Sequence, residues 1–250
     1  MRTVLLAPCA GARASDRPGP ERDAQISSMP AVLFDVDGTL LDSVDLHARA
    51  WQEAFRAFGK DISFQEVRSQ IGKGGDQLLP VFLDDWERAA RGAEIERWRG
   101  DWWKLRYLPE VKAFPAVRPL FQLLRARGWT PVLASSSKKD ELEHVVSVLE
   151  VADLIEARTS SDDAGRSKPF PDIFAAALER VPERERAGSW VVGDSPWDAL
   201  AARRLGLPTV GVRSGGFADE DLRAAGAGIL FDGPWDLLAR IDRSPFSARG

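Results

Sequence analysis

The chain is poor in the residues that several common kinds of site require. It has one cysteine, Cys9, in 250 residues, so no internal disulfide framework exists, which fits a reducing cytoplasm. Its two histidines, His47 and His144, are not spaced as a ligand pair, so the usual zinc arrangement is missing. No stretch approaches the roughly 18 apolar residues of a membrane span, and no membrane partner is expected. There is no long basic run. With 34 Lys+Arg against 38 Asp+Glu and a net charge of −4, nothing invites nucleic acid.

What remains is an ordinary globular composition, 44% hydrophobic and 29% charged, in a chain long enough for one large domain or a domain with an insert. Residues 1–29 stand apart. One short apolar cluster, Val4 to Ala7, is followed by Pro, Gly and mixed charges. That cluster is shorter than the core of about 7–15 residues that a signal peptide needs. The expectation is a disordered N-terminal extension, with Met29 as an alternative start.

From residue 30, apolar runs alternate with helical patterns. "AVLFD" (31–35), "TPVLAS" (130–135), "DLIEAR" (153–158), "SWVVGD" (189–194), "PTVGVR" (208–213) and "GILF" (228–231) read as strands. Most are continuous apolar runs, as expected of strands covered on both faces. Helical patterns over 117–127, 139–149, 172–180 and 198–205 separate them. This order predicts an α/β fold, a doubly wound parallel sheet with right-handed crossovers.

Residues 44–111 break the alternation. "VDLHARAWQEAFRAFG" (44–59) is an amphipathic helix closed by Gly59, and Ser63 and Glu66 are spaced as a capping box. The stretch is too long for a crossover loop and predicts an inserted all-α domain with linkers near 41–45 and 109–115. Trp51, Trp86, Trp98, Trp102 and Trp103 fall within it and read as its core. The expected division is an extension at 1–29, a core from 30–43 and 112–250, and the insert at 44–111.

In a parallel α/β sheet, ligands bind beyond the carboxyl ends of the strands. Polar groups gather there: Asp35 and Asp37 after the first strand, "SSSK" (135–138) after the second, Lys168 in "GRSKPFPDIF", and Asp194 and Asp198 in "GDSPWDA". Close carboxylates cannot all ionise cheaply without a cation. Oxygen ligands without histidine or cysteine nearby favour Mg²⁺ over zinc. A serine and a lysine beside such a cation suit a phosphoryl group, and a carboxylate can itself attack phosphorus. Asp42 and Ser43 read as helix-capping residues; Ser137 reads equally as a cap or a phosphate contact.

Over residues 30–240 the sequence resembles the haloacid dehalogenase superfamily, in its Mg²⁺-dependent phosphatase branch with a helical cap after the first strand and a Rossmann-like core. Four motifs stand in order: "DVDGT", the serine ending "PVLASS", the lysine of "SKPFPDIF", and "GDSPWD". The first alone arises by chance in roughly one chain of this size in a few hundred, but all four in order do not. An EF-hand reading of "DVDGTLLDS" fails because its glycine comes early and no glutamate ends the loop.

The resemblance implies that Asp35 attacks phosphorus and that Asp37 protonates the leaving oxygen, then deprotonates water. Asp35, the Asp37 main-chain carbonyl and Asp194 would hold Mg²⁺. Ser135, the Ser136 N–H and the turn at Gly38 would bind phosphate oxygens, and Lys168 would stabilise the charge. Asp198 would support the metal site or pair with Lys168. Lys73 in "QIGKGGDQ", His47 and Lys138 are candidates for substrate recognition, with solvated or core-packed alternatives. The implied substrate is a small phosphorylated metabolite of sugar phosphate or phosphoglycolate type, acted on in the cytoplasm by a monomer or weak dimer. Two alternatives stand beside it: a phosphomutase similar to β-phosphoglucomutase, and a non-catalytic phospho-ligand sensor. The mutase carries Glu-Asp where this chain has Gly193-Asp194.

Overall fold

A computed structural model describes residues 29–247, so the expectations for the extension and Cys9 lie outside the described residues. In chain order the main elements are β1 (Ala31–Phe34), β2 (Leu41–Asp42), α1 (Val44–Ala57), α2 (Phe64–Arg68), α3 (Gly75–Phe82), α4 (Asp85–Trp102) and β3 (Lys112–Ala113). They continue with α5 (Val117–Ala126), β4 (Thr130–Ala134), α6 (Lys139–Leu149), β5 (Ala157–Thr159), α7 (Asp172–Glu179), α8 (Glu183–Arg186) and β6 (Trp190–Gly193). The chain closes with α9 (Pro196–Arg204), β7 (Thr209–Val212), α10 (Asp219–Ala225), β8 (Ala227–Phe231) and α11 (Pro234–Ala239).

Six strands form one parallel sheet in the order β5-β4-β1-β6-β7-β8. Alternate residues of β1 serve opposite faces. Val32 and Phe34 pack with Phe121 of α5 and Val145 of α6, whereas Ala31 and Leu33 pack with Phe174 of α7 and Ala201 of α9. A sheet buried on both faces needs the near-continuous apolar strands seen in the sequence. The chain winds from β1 out through β4 to β5, then returns to β6 on the other side of β1. The carboxyl end of β1 is therefore the switch point, where such sheets open a crevice.

Between β2 and β3 the chain is helical. Val44, Ala48, Trp51 and Phe55 form one stripe of α1 and pack on Val67, Leu78 and Ile95, giving the insert its own apolar cluster. Each fully buried large side chain contributes about 1.5–3 kcal/mol. The two connections leave side by side, because β2 and β3 pair antiparallel through Leu41–Ala113 and Asp42–Lys112. The Ser63–Glu66 capping box is present, and Asp84 with Glu87 forms another at the start of α4.

Three local expectations are corrected. The strand expected at 153–158 begins only at Ala157, because Leu154 and Ile155 turn to pack on the core instead of pairing with β4. The helix expected at 198–205 starts two residues earlier, because Ser195 caps it with Asp198 as the third helical residue. Trp51 is buried in the insert's cluster with Trp98 against it, but Trp103 is buried in the sheet core's cluster with Trp102 against it, and Trp86 is 75% exposed in the first turn of α4 and belongs to no core. No helix among the described residues is long and apolar enough to cross a membrane.

Candidate active site

β1 ends at Phe34, and the next residues form a tight turn in which Leu40 and Leu41 N–H both donate to the Val36 carbonyl. Gly38 makes this turn possible. Its φ is +83°, and a Cβ there would lie 2.4 Å from Asp194 Oδ2 and 2.6 Å from a Val44 methyl. Gly38→Ala is therefore expected to lower stability by about 2 kcal/mol or more, measured by urea unfolding of the metal-free protein.

The turn sends its two aspartates to different partners. The Asp35 carboxylate is held by the Lys168 ammonium on one oxygen and accepts from the Thr39 hydroxyl at 3.1 Å on the other. Thr39 also lies 3.1 Å from Asp194 Oδ1, so it bridges the ends of β1 and β6. Lys168, 1% exposed, is also 2.7 Å from Asp198, which accepts from the Ser195 hydroxyl at 2.6 Å through its other oxygen. Of the two roles open to Asp198, the pair with Lys168 is formed.

One carboxylate oxygen from each of Asp35, Asp194 and Asp198 lies within 4.8 Å of the others, and all three residues are buried. Lys168 is their single ion-pair partner among the described residues. Burial raises the Asp35 pKa, the lysine lowers it and Asp198 raises it again, to a net value of about 7. Burial, then Asp35 and Asp198, push Asp194 well above the usual carboxylate range. Burial works to lower the Lys168 pKa, but Asp198 and Asp35 outweigh it and raise it. A buried all-oxygen cluster with more acid than base is chemically suited to a hard divalent cation, so these residues could hold a metal ion.

A stability prediction follows for the metal-free protein. Asp35 holds a proton up to about pH 7 when folded but only up to 3.8 when unfolded, so the folded state binds more protons between those values. Stability there must fall as pH rises, and Asp194 acts in the same direction. Asp37 acts oppositely, but its contribution is lost only as pH falls below 3.8. Melting curves in EDTA should shift down between about pH 5 and pH 8, and Mg²⁺ should flatten that slope. A slope unchanged by Mg²⁺ would contradict the cluster's role.

Asp37 points the other way. Ser43 Oγ donates to its Oδ1 at 2.6 Å and His47 Nε2 lies 3.0 Å from the same oxygen. Arg99 Nη2 is 2.7 Å from His47 Nδ1. A guanidinium only donates, so Nδ1 accepts and the Nε2–H donates to Asp37. Burial acts to raise the Asp37 pKa, but the hydrogen bonds of His47 and Ser43, with the charge of Lys168, bring it below the usual carboxylate range. Ser43 thus departs from its expected role. It occupies the N-cap of α1 but makes no capping bond, and its hydroxyl serves Asp37 instead. His47 stacks on Trp103 with ring centroids 3.7 Å apart and also borders the cavity above the acids, so the structure combines features of both its readings.

A cavity of about 270 Å³ opens above these acids, between the core and the insert. Asp35, Asp37, Ser136, Ser137 and Lys138 form part of its floor. Ser135 is fully buried beneath it, and its hydroxyl accepts from the Ser137 N–H at 3.0 Å. Ser137 is not a helix cap; Lys138 occupies that position, without a side-chain bond. The "GKGG" turn roofs the cavity. Lys73 Nζ donates to Gln70 at 2.6 Å and lies 4.0 Å over the Trp197 ring. Gly72, at φ +97°, sits so close to the core that a Cβ would be 2.8 Å from Ser195 Oγ. Asp76 accepts from the Ser167 N–H at 3.1 Å, which ties the roof to the loop that carries Lys168.

Thr39, Ser43, Arg99 and Glu141 at this site were not singled out from sequence as functional. Thr39 had a signal, as the last residue of "DVDGT"; Arg99 and Glu141 had none.

The fold and this site define an enzyme of the hydrolase class, built on a parallel α/β core with a helical insert. The chain belongs to the haloacid dehalogenase-like hydrolase family, whose family model matches residues 29–206. With relatives named as phosphatases, it is a phosphoric monoester hydrolase in type. It is 28% identical over 188 residues to a phosphoglycolate phosphatase of Cereibacter sphaeroides, spanning 72% of this chain and 83% of that protein. It is 24% identical over 186 residues to a bifunctional riboflavin kinase/FMN phosphatase of Arabidopsis thaliana, spanning 73% of this chain but only 48% of that protein. Among solved structures, a hydrolase from Pseudomonas syringae superposes with a TM-score of 0.77 at 28% identity, covering 88% of this chain and 100% of that one.

Proposed function

We propose that the chain is a Mg²⁺-dependent phosphatase that hydrolyses a small phosphorylated metabolite through an aspartyl-phosphate on Asp35. In this reading residues 44–111 are a cap over a core of residues 30–43 and 112–250. The observation that supports it most is the division of labour between the two aspartates: Asp35 faces Lys168 and the acidic cluster, while Asp37 is engaged separately by Ser43 and His47.

In this reading Asp35, held between Lys168 and Thr39, attacks phosphorus. On the same reading the Ser135 hydroxyl, the Ser136 N–H and Lys168 bind the phosphoryl oxygens and stabilise their charge. Asp37 carries the leaving-group proton in the first step and takes a proton from water in the second. Held ionised by His47 and Ser43, it is set for the second role. The first role requires its His47 contact to relax when substrate enters. Asp35, Asp194 and the Asp37 carbonyl would hold Mg²⁺, which when bound favours the ionised form of Asp35 and neutralises the transferring group.

The test is phosphate release across a panel of phosphorylated metabolites, with Mg²⁺ and with EDTA. Release that requires the metal is expected. No release from any phosphoester would defeat the reading, and interconversion of sugar phosphates without release would promote the mutase.

A further inference from the structure

Asp194 is gripped by a turn that takes no part in the motifs. The turn after β7, "RSGG" at 213–216, lies against its carboxylate so closely that a Cβ on Gly215 would overlap Oδ2. The Gly38 backbone crowds the same oxygen, and the Thr39 hydroxyl lies 3.1 Å from Oδ1. Ser214 Oγ donates to the Gly38 carbonyl at 2.6 Å, so the two backbones that hem in the acid are tied together. The position of Asp194 therefore depends on where this turn sits.

The other side of the turn meets the insert. Arg68, the last residue of α2, donates from Nη2 to the Gly215 carbonyl at 3.0 Å and from Nε to Asp45 at 2.6 Å. Gly216 has φ +76°, and a Cβ there would lie 2.5 Å from Arg68 Nη2. Each glycine thus makes room for one group, Gly215 for the acid and Gly216 for the guanidinium. The turn is anchored where it begins, because Arg213 forks onto both oxygens of Asp219 at 2.6 and 2.8 Å and reaches Asp232 at 2.8 Å. Its glycine half has no side chain to hold it and the most backbone freedom to lose. Inside that half the Gly216 N–H donates to the Arg213 carbonyl at 2.8 Å; from outside, Arg68 supplies the clamp.

Arg68 does not line the cavity, and its pair with Asp45 is exposed, of a kind that contributes little to stability. What the pair does is aim the guanidinium at the turn. We propose that Arg68 is a positioning residue for Asp194: by clamping the 213–216 turn from the insert, it holds the acid where it completes the Mg²⁺ site. Docking of the insert then raises the affinity for the metal, and by linkage the bound metal holds the insert in place. This rests on the Mg²⁺ reading above and deepens it. The sign of the effect separates it from simple charge. A guanidinium that acted only as a nearby positive charge would repel Mg²⁺, so removing it would tighten binding.

The experiment titrates Mg²⁺ into the full chain by calorimetry and follows hydrogen exchange of the 213–216 amides in EDTA. Arg68→Met should raise the Kd for Mg²⁺ about fivefold or more and speed exchange at the turn. Its melting temperature in EDTA should stay within about 4 °C of the unmodified chain. Gly215→Ala, which drives a methyl into Asp194, should weaken Mg²⁺ about tenfold or more with Arg68 still present. Arg68→Lys keeps the charge but cannot bridge Asp45 and Gly215 as a fork does, and should fall between. Unchanged or tighter Mg²⁺ binding in Arg68→Met, or an unchanged Kd in Gly215→Ala, overturns the proposal. A lower melting temperature with the same Kd would make Arg68 a packing residue only and overturns it too. No Mg²⁺ binding by the unmodified chain would sink the metal reading instead, and faster exchange at the turn in Arg68→Met would still leave the clamp standing.

Discussion

Asp35→Asn should abolish turnover, by about 10⁴-fold or more, while raising the melting temperature of the metal-free protein. On the proposed mechanism, the activity loss follows from removing the nucleophile. The gain in stability has a different origin. Asp35, Asp194 and Asp198 crowd together in a buried site with one lysine, and burial with mutual repulsion drives two of them well above the usual carboxylate range. Asparagine keeps the size and can turn its oxygen to Lys168 and its N–H to the Thr39 hydroxyl, but carries no charge, and Lys168 keeps Asp198 as its partner. Steady-state phosphate release and a thermal melt in EDTA on the same preparation check both halves. A variant that is inactive and also less stable at neutral pH would show that the acids are not strained as described.

Lys168→Met should do the opposite to stability. The ammonium is buried and touches both Asp35 and Asp198, so its loss leaves three close carboxylates without their cation. Breaking a buried pair from one side costs about 3–5 kcal/mol. The loss should be largest near neutral pH and shrink toward pH 5, where Asp35 and Asp194 hold protons. Added Mg²⁺ should recover part of it. Turnover should fall by about 10²–10³-fold even with the metal present, because charge at the transferring group is no longer met from that side. Urea unfolding at both pH values, with and without Mg²⁺, separates this from a packing defect, which would cost the same at each pH.

The doubly wound sheet was legible because buried parallel strands leave short apolar runs, here alternating with helical patterns. The strand order was not, since nothing local in β1 or β6 says that they are neighbours. Leu154 and Ile155 misled because an apolar pair reads the same whether it pairs with β4 or turns onto the core. Trp86 misled for a related reason: an aromatic side chain on a short helical pattern does not declare its face. The acids, Ser135 and Lys168 were visible from their places at strand ends and in a known motif order. Ser43 was visible as a cap and hidden as a partner of Asp37, because both uses need the same hydroxyl. Arg99 and Glu141 belong to no motif. Arg99 lies 52 residues from His47, and the packing of α4 on α1 within the insert brings the two together.

Transfer of the phosphoryl group to Asp35 is the central step of the proposed mechanism. In Asp37→Asn, an aryl phosphate needs little help with its leaving group, so the first step should run while the water-activating second step stalls. The reaction is quenched in acid and the protein mapped by mass spectrometry. A phosphoryl adduct on the peptide containing Asp35, absent when Asp35→Asn is added, is the predicted result. Phosphate release at full rate with no adduct, or an adduct on another residue, would contradict the mechanism.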